Sequence, residues 1–155
     1  MTGKEYLSQY RRLKSRIKGK EAQVAELRES LSGLRAIRYD LDKVDSAPSG
    51  DNILKRLIKL EDKCDSIARD ITALTELSDE ITNRIGRMKS PVLMDLLTRY
   101  YILGESFEQI AVGFNYTYKT VLNYHGKALI EFEEVNEDIK LMEKYGNFGN
   151  KNAVI

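Results

Sequence analysis

Two long stripes of apolar residues, separated by a short loop-forming segment, constrain the fold of this chain more than any other feature. From Lys4 to Val44, the residues Tyr10, Leu13, Ile17, Val24, Leu27, Leu31, Leu34 and Leu41 recur at three- and four-residue steps. From Ile53 to Met88 the rhythm returns in Leu57, Leu60, Cys64, Ile67, Ile71, Leu74, Ile81, Ile85 and Met88. That spacing keeps returning to one side of an α-helix, whereas a half-buried strand needs a period of two. Between the stripes, Ser46-Ala-Pro48-Ser-Gly50 reads as a loop, centred near 46–51. Two helices of ~55–60 Å, at ~1.5 Å per residue, joined by so short a loop fold back as an antiparallel coiled-coil hairpin. Lys20 and Arg38 interrupt the first seam and Ser78 the second. Leu7, Ile37, Leu54, Ile58 and Leu77 flank the seams and exceed what one partner helix requires. Two arrangements cover them: a homodimer through the hairpins, or a final domain that folds back within one chain.

The segment Ser90–Leu129 has a different organisation. Ser90-Pro91 opens a helix with an N-cap residue and a proline at the first helical position. Leu93, Leu96, Leu97, Tyr100 and Tyr101 follow at helical spacing until Gly104 can stop them. Ser106-Phe-Glu-Gln109 has capping-box form. Asn115 tolerates positive φ, and Thr117 can cap a further helix that carries Val121 inward. A small residue at Ala111, a turn residue at Asn115 and a β-branched residue at Val121 are the spacing of a helix-turn-helix, whose second helix enters a DNA groove. An ordinary helical corner in a bundle is the alternative.

The stretch LLTRYYILGESFEQIAVGFNYTYKTV…GKAL resembles region 4 of bacterial sigma factors. Leu96, Leu97, Arg99, Tyr100, Gly104, Ser106, Ile110, Ala111, Thr120, Val121, Ala128 and Leu129 fall on its LL-x-x-RY, G-x-S-x-x-E-I-A, T-V and R-A-L elements. Gln109 stands where Glu is usual, Asn115 replaces a turn Gly, and His125 occupies a position usually apolar. With a coiled coil first and this module last, the chain is similar to phage-encoded late transcription regulators of the ArpU/RinA type. The resemblance implies double-stranded DNA and RNA polymerase as partners, and a bacterial cytoplasm as the setting.

The expected class is therefore all-α: a long antiparallel helical hairpin over 1–89, a C-terminal helix-turn-helix domain over 90–145 and a disordered tail over 146–155. If Thr117 is the cap, Tyr118, Lys119, Leu122 and Asn123 project outward near the start of the recognition helix, where base contacts concentrate. Asn123 suits adenine, Lys119 suits guanine or phosphate, and Leu122 or Tyr118 suits a thymine methyl. Thr117, Thr120 and Lys127 complete the candidate face, with Arg84, Arg87 and Lys89 as a basic lead-in. No helix breaker occurs between Thr117 and Tyr145, and Ala128, Phe132, Val135, Ile139 and Met142 continue the helical spacing. The last helix is expected to run on, or to resume after a kink at Gly126.

Formal net charge is +1 and says nothing about nucleic acid, but the charges are unevenly placed. Lys4, Arg11, Arg12, Lys14, Arg16, Lys18 and Lys20 crowd the start, and Glu131, Glu133, Glu134, Glu137, Asp138 and Glu143 follow the module. The basic face is either solvated, or pairs with phosphate or with that acidic segment. The helix-turn-helix is nearly neutral, so a lone module binds DNA weakly and needs dimerisation or a partner. The single cysteine, Cys64, reads as a small core residue and fits a reducing compartment. No apolar run is long enough to span a membrane. No phosphate-binding glycine loop, ligand cluster or nucleophile–base pair is legible, so neither an enzyme, a cofactor nor a metal is expected. Besides a transcription regulator, a small-terminase-like DNA-packaging subunit and a coiled-coil protein adaptor fit the same pattern.

Overall fold

The computed structural model describes residues 1–40 and 50–142, without the side chains of 34–40. All regular structure among them is helical, as the sequence predicts. It comprises α1 (Gly3–Asp40), α2 (Gly50–Ile85), α3 (Pro91–Leu97), a π-helical turn (Thr98–Ile102), α4 (Phe107–Phe114), α5 (Tyr118–Val135) and a 3-10 turn (Glu137–Leu141). The expected tail at 146–155 and most of the expected loop lie outside the described residues, although Gly50 and Asp51 already belong to α2. The chain divides into two compact units, Lys14–Thr72 and Met1–Leu13 with Ala73–Ile155, so the division falls within the long helices rather than at residue 89.

In the Lys14–Thr72 unit, α1 and α2 run antiparallel. Arg16 bonds Asp70 at 2.9 Å, Lys20 bonds Ser66 at 2.6 Å, Lys63 bonds Gln23 at 2.6 Å and Arg56 bonds Ser30 at 2.8 Å, one residue number falling as the other rises. Ile17 and Val24 are buried, and Leu27, Leu60 and Ile67 half-buried. The packed face of α2 keeps most of the expected seam, with Leu60, Cys64, Ile67 and Leu74 half-buried and Ile81, Ile85 and, just beyond the helix, Met88 buried. Lys63 and Asp70 face inward beside Leu60 and Ile67, while Leu57 and Ile71 of the predicted seam are 47% and 46% exposed. The Asp70 carboxylate takes hydrogen bonds from both Arg16 and Lys20 of α1. Burial alone would raise the Asp70 pKa, but those two cations outweigh it and hold the carboxyl below its usual range. Lys20 thus has a partner rather than being a defect of the seam.

The second unit begins with a capping box not anticipated from the sequence: the Thr2 N–H donates to Glu5 Oε2 at 2.9 Å, and the Glu5 N–H to Thr2 Oγ1 at 3.2 Å. Tyr6, Leu7, Tyr10 and Leu13 of α1 and Leu77, Ile81 and Ile85 of α2 are buried, as are Leu96, Leu97, Ile110, Val121, Ala128 and Phe132. Each large apolar side chain withdrawn from water contributes ~1.5–3 kcal/mol before the entropy of ordering it. The Tyr6 and Phe132 rings lie 6.2 Å apart, and α5 packs on both α3 and α4. The Tyr6 hydroxyl is buried without a hydrogen bond of acceptable geometry, yet burial and then the nearby Glu80 carboxylate raise its pKa.

The expected continuation of α5 towards Tyr145 does not occur, although the helix runs unbroken through Gly126. The helix stops at Asn136, whose φ of −133° and ψ of 54° leave the helical region. Asn136 is 1% exposed, and its amide replaces the interrupted backbone bonds. Nδ2 donates to the carbonyls of Phe132 (2.9 Å) and Arg84 (3.3 Å), and Oδ1 accepts from Arg87 (3.0 Å). A side chain that competes for backbone partners in this way favours helix ends over helix interiors. Asn136→Ala leaves those buried groups unpaired and should cost about 1–3 kcal/mol, read as a lower urea midpoint. An unchanged midpoint would show that the amide does not hold these ends together.

Candidate nucleic-acid interface

The connection from α4 to α5 is set by local chemistry. The Ser106 hydroxyl accepts from the Gln109 N–H at 3.2 Å, and Gln109 Oε1 accepts from the Ser106 N–H at 2.8 Å. Gln109 therefore completes the capping box as Glu would. Asn115 adopts φ 57° and ψ 41°, and the bonds Asn115 N–H to Val112 O and Tyr116 N–H to Ala111 O close the helix in the Schellman pattern. Thr117 then caps α5, its Oγ1 accepting from the Thr120 N–H at 3.2 Å. Ile110, Ala111 and Val121 are buried around this connection, fixing the direction in which α5 leaves it.

Arg99 supports α4 from the π-helical turn. Its guanidinium pairs with Asp95 at 3.1 Å and Glu105 at 3.6 Å and lies 5.0 Å from the Phe114 ring centre. A Cβ on Gly113 would sit 3.0 Å from its Nη1, so a larger residue there requires the guanidinium to shift. The widened π turn ends in Gly104 at φ +75°. At the start of α3 the expected Ser90 side-chain cap is absent. The Glu131 carboxylate of α5 instead accepts the Ser90 N–H at 3.1 Å and the Lys89 N–H beside it.

The sequence-predicted residues separate into groups. Tyr118, Lys119, Leu122 and Asn123 are all exposed on the first turns of α5. Thr117 and Thr120 bond each other at 2.8 Å and serve the cap. Lys127 is exposed, lies 5.6 Å from the Tyr124 ring centre, and lines one open cleft with Lys89. Arg84 requires a correction. It is 7% exposed, binds Asp138 at 2.7 Å and Glu80 at 3.2 Å, and lies over Tyr6, so its charge is not offered to phosphate. Its bond to Asp138 raises its pKa against the opposing effect of burial. Arg87 is exposed but bonded to Asn136.

Sequence reasoning missed the aromatic cluster under the N-terminal half of α5. Tyr100 stacks on Phe107 at 4.3 Å, and His125 lies 5.0 Å from Phe107, 5.4 Å from Tyr100 and 5.8 Å from Tyr101. His125 Nε2 shares a hydrogen bond with the Tyr101 hydroxyl at 3.1 Å. The one available signal was the presence of a polar ring where the resembling family has an apolar residue. Comparison of the chain with protein-family models, curated proteins and solved structures gives no match.

Burial first, and the Lys4 charge second, hold the His125 pKa below its ordinary value. The folded state therefore favours neutral imidazole, and the unfolded chain takes up the proton first. Stability is complete above the unfolded pKa of about 6.5 and declines as pH falls below it towards the folded value. His125→Gln should remove the part of the decline in thermal midpoint between about pH 7 and pH 5 that belongs to this group. An identical pH profile in the variant would exclude His125 as its source.

Proposed function

We propose that the protein is a sequence-specific DNA-binding transcription regulator, phage-encoded and acting with host RNA polymerase in the bacterial cytoplasm. In this reading α4, the Asn115–Thr117 turn and α5 form a helix-turn-helix. One observation carries it: the cap and turn chemistry buries Ile110, Ala111 and Val121 while presenting Tyr118, Lys119, Leu122 and Asn123 together at the start of α5. A helix of ~10–12 Å diameter fits a major groove ≈12 Å wide, with its N-terminal residues nearest the base edges. The acidic segment is compatible with this role, because Glu131, Glu133 and Asp138 are engaged with the Ser90 N–H, the Gly3 N–H and Arg84.

Removing Asn123 and Lys119 together (Asn123→Ala, Lys119→Ala) should abolish discrimination between a selected and a random duplex. The cost is about 1–3 kcal/mol per lost base contact, and the helical circular-dichroism signal should persist. Retained discrimination would reject the groove assignment. A protein-docking role for the same face has one point in its favour: Leu122 and Ile130 are 40% and 61% exposed on either side of Gly126. Absence of salt-dependent duplex binding would support that role instead.

The reading includes a homodimer through the long helices. Leu54, Leu57 and Ile58 of α2 are 57%, 47% and 50% exposed, and this row is the proposed contact. Light scattering should show a dimer that Leu57→Lys with Ile58→Lys converts to monomer. A ring-sized mass would favour the DNA-packaging alternative, and a wild-type monomer would remove the dimer from the proposal.

A further inference from the structure

We infer that the first turns of α1 form a second phosphate-binding wall beside α5, with Lys4 and Arg11 contacting the backbone of the same duplex. The inference rests on the DNA-binding reading of α5 and adds residues from the opposite end of the chain. Within the Met1–Leu13 and Ala73–Ile155 unit, α1 begins against the end of α5. The Gly3 N–H donates to Glu133 at 2.6 Å, and a Cβ on Gly3 would lie 2.9 Å from the Glu133 side chain. From there α1 passes back towards the start of α5. Tyr6 meets Phe132, the Lys4 charge reaches His125, and the Arg11 guanidinium lies 4.6 Å from the Tyr100 ring centre. Tyr100 stacks on Phe107, whose ring stands edge-on to Tyr118 at 6.5 Å. A continuous aromatic path thus connects Arg11 to the first residue of α5.

Lys4 and Arg11 are seven residues apart, hence on one side of α1 and ~10 Å from each other along its axis. Both are exposed, and neither has an acidic partner among the described residues. This separates them from Arg84, which is buried and paired, and from Arg16, which binds Asp70. Lys89 and Lys127 line a cleft that also includes Ile130 and Glu134 of α5. At ~3.6 residues per turn, Lys127 lies on a different side of α5 from His125 and Glu133, which α1 approaches, so the two pairs of cations can each face one of the phosphate strands that flank a helix in the groove. They also provide charge that the nearly neutral helix-turn-helix lacks.

The test measures affinity for mixed-sequence and selected duplex DNA between about 50 and 200 mM salt. Each lost phosphate contact lowers the slope of log affinity against log salt by about 0.9, so Lys4→Gln with Arg11→Gln should lower it by roughly 2. Affinity should fall by the same factor on both duplexes, leaving discrimination intact, and Arg11→Lys should restore most of the lost slope. If Arg11→Gln disturbs the helical signal through its Tyr100 contact, Lys4→Gln alone should lower the slope by about 1. An unchanged slope, with discrimination still dependent on Lys119 and Asn123, overturns the α1 wall and leaves the DNA-binding reading standing. A wild-type protein with no salt-dependent duplex binding overturns both.

Discussion

The end of α5 is the point on which the larger compact unit depends. Four polar side chains within a few residues tie α5 to three other parts of the chain. Glu131 takes the N–H groups that lead into α3, and Glu133 takes the start of α1. Asn136 joins the end of α2 to the last turn of α5, and Asp138 pairs with the buried Arg84. Buried donors and acceptors left unpaired are costly, so these bonds select one arrangement of the helices from the many that apolar burial alone would permit. The surrounding Tyr6, Leu7, Ile81, Leu97 and Phe132 supply the driving force, but apolar contact is indifferent to small rotations and slides.

This polar clasp changes the electrostatic picture of the chain. A crowd of carboxylates from Glu131 onward looks like a barrier to any anionic partner when charges are merely counted. Several of those carboxylates are instead engaged with backbone N–H groups or with Arg84, while Lys119 and Lys127 of α5 remain exposed. The same accounting removes Arg84 from any surface role. Formal charge along a sequence and charge available to a partner are different quantities, because pairing and burial intervene.

Several local signals were legible to the residue, although the Thr2–Glu5 capping box was missed and the expected Ser90 cap is absent. The capping box at Ser106–Gln109, the left-handed Asn115, the Thr117 cap and the stop at Gly104 all involve neighbours in the chain. The helical content followed from the apolar spacing for the same reason. What the spacing left undetermined was rotation about a helix axis. Nothing local marks Lys63 and Asp70 as inward-facing or Leu57 and Ile71 as exposed, because the bonds of Asp70 and Lys63 cross between helices. The end of α5 was illegible in a similar way. Asn136 is an ordinary helix residue by spacing, and becomes a terminator only because Arg84 and Arg87 lie within reach of its amide.

The sequence by itself determined an all-helical chain, the caps and turns around α4 and α5, and the small set of side chains able to stand out from the start of α5. Those properties depend on interactions within a few residues, where the covalent chain already supplies proximity. The tertiary structure alone decided which charges are free, which positions of the α2 seam are packed, where α5 ends, and that Lys4 and Arg11 share a compact unit with Tyr118. Each of these rests on groups tens of residues apart, whose meeting depends on packing and polar bonds between helices and not on any periodicity along the chain.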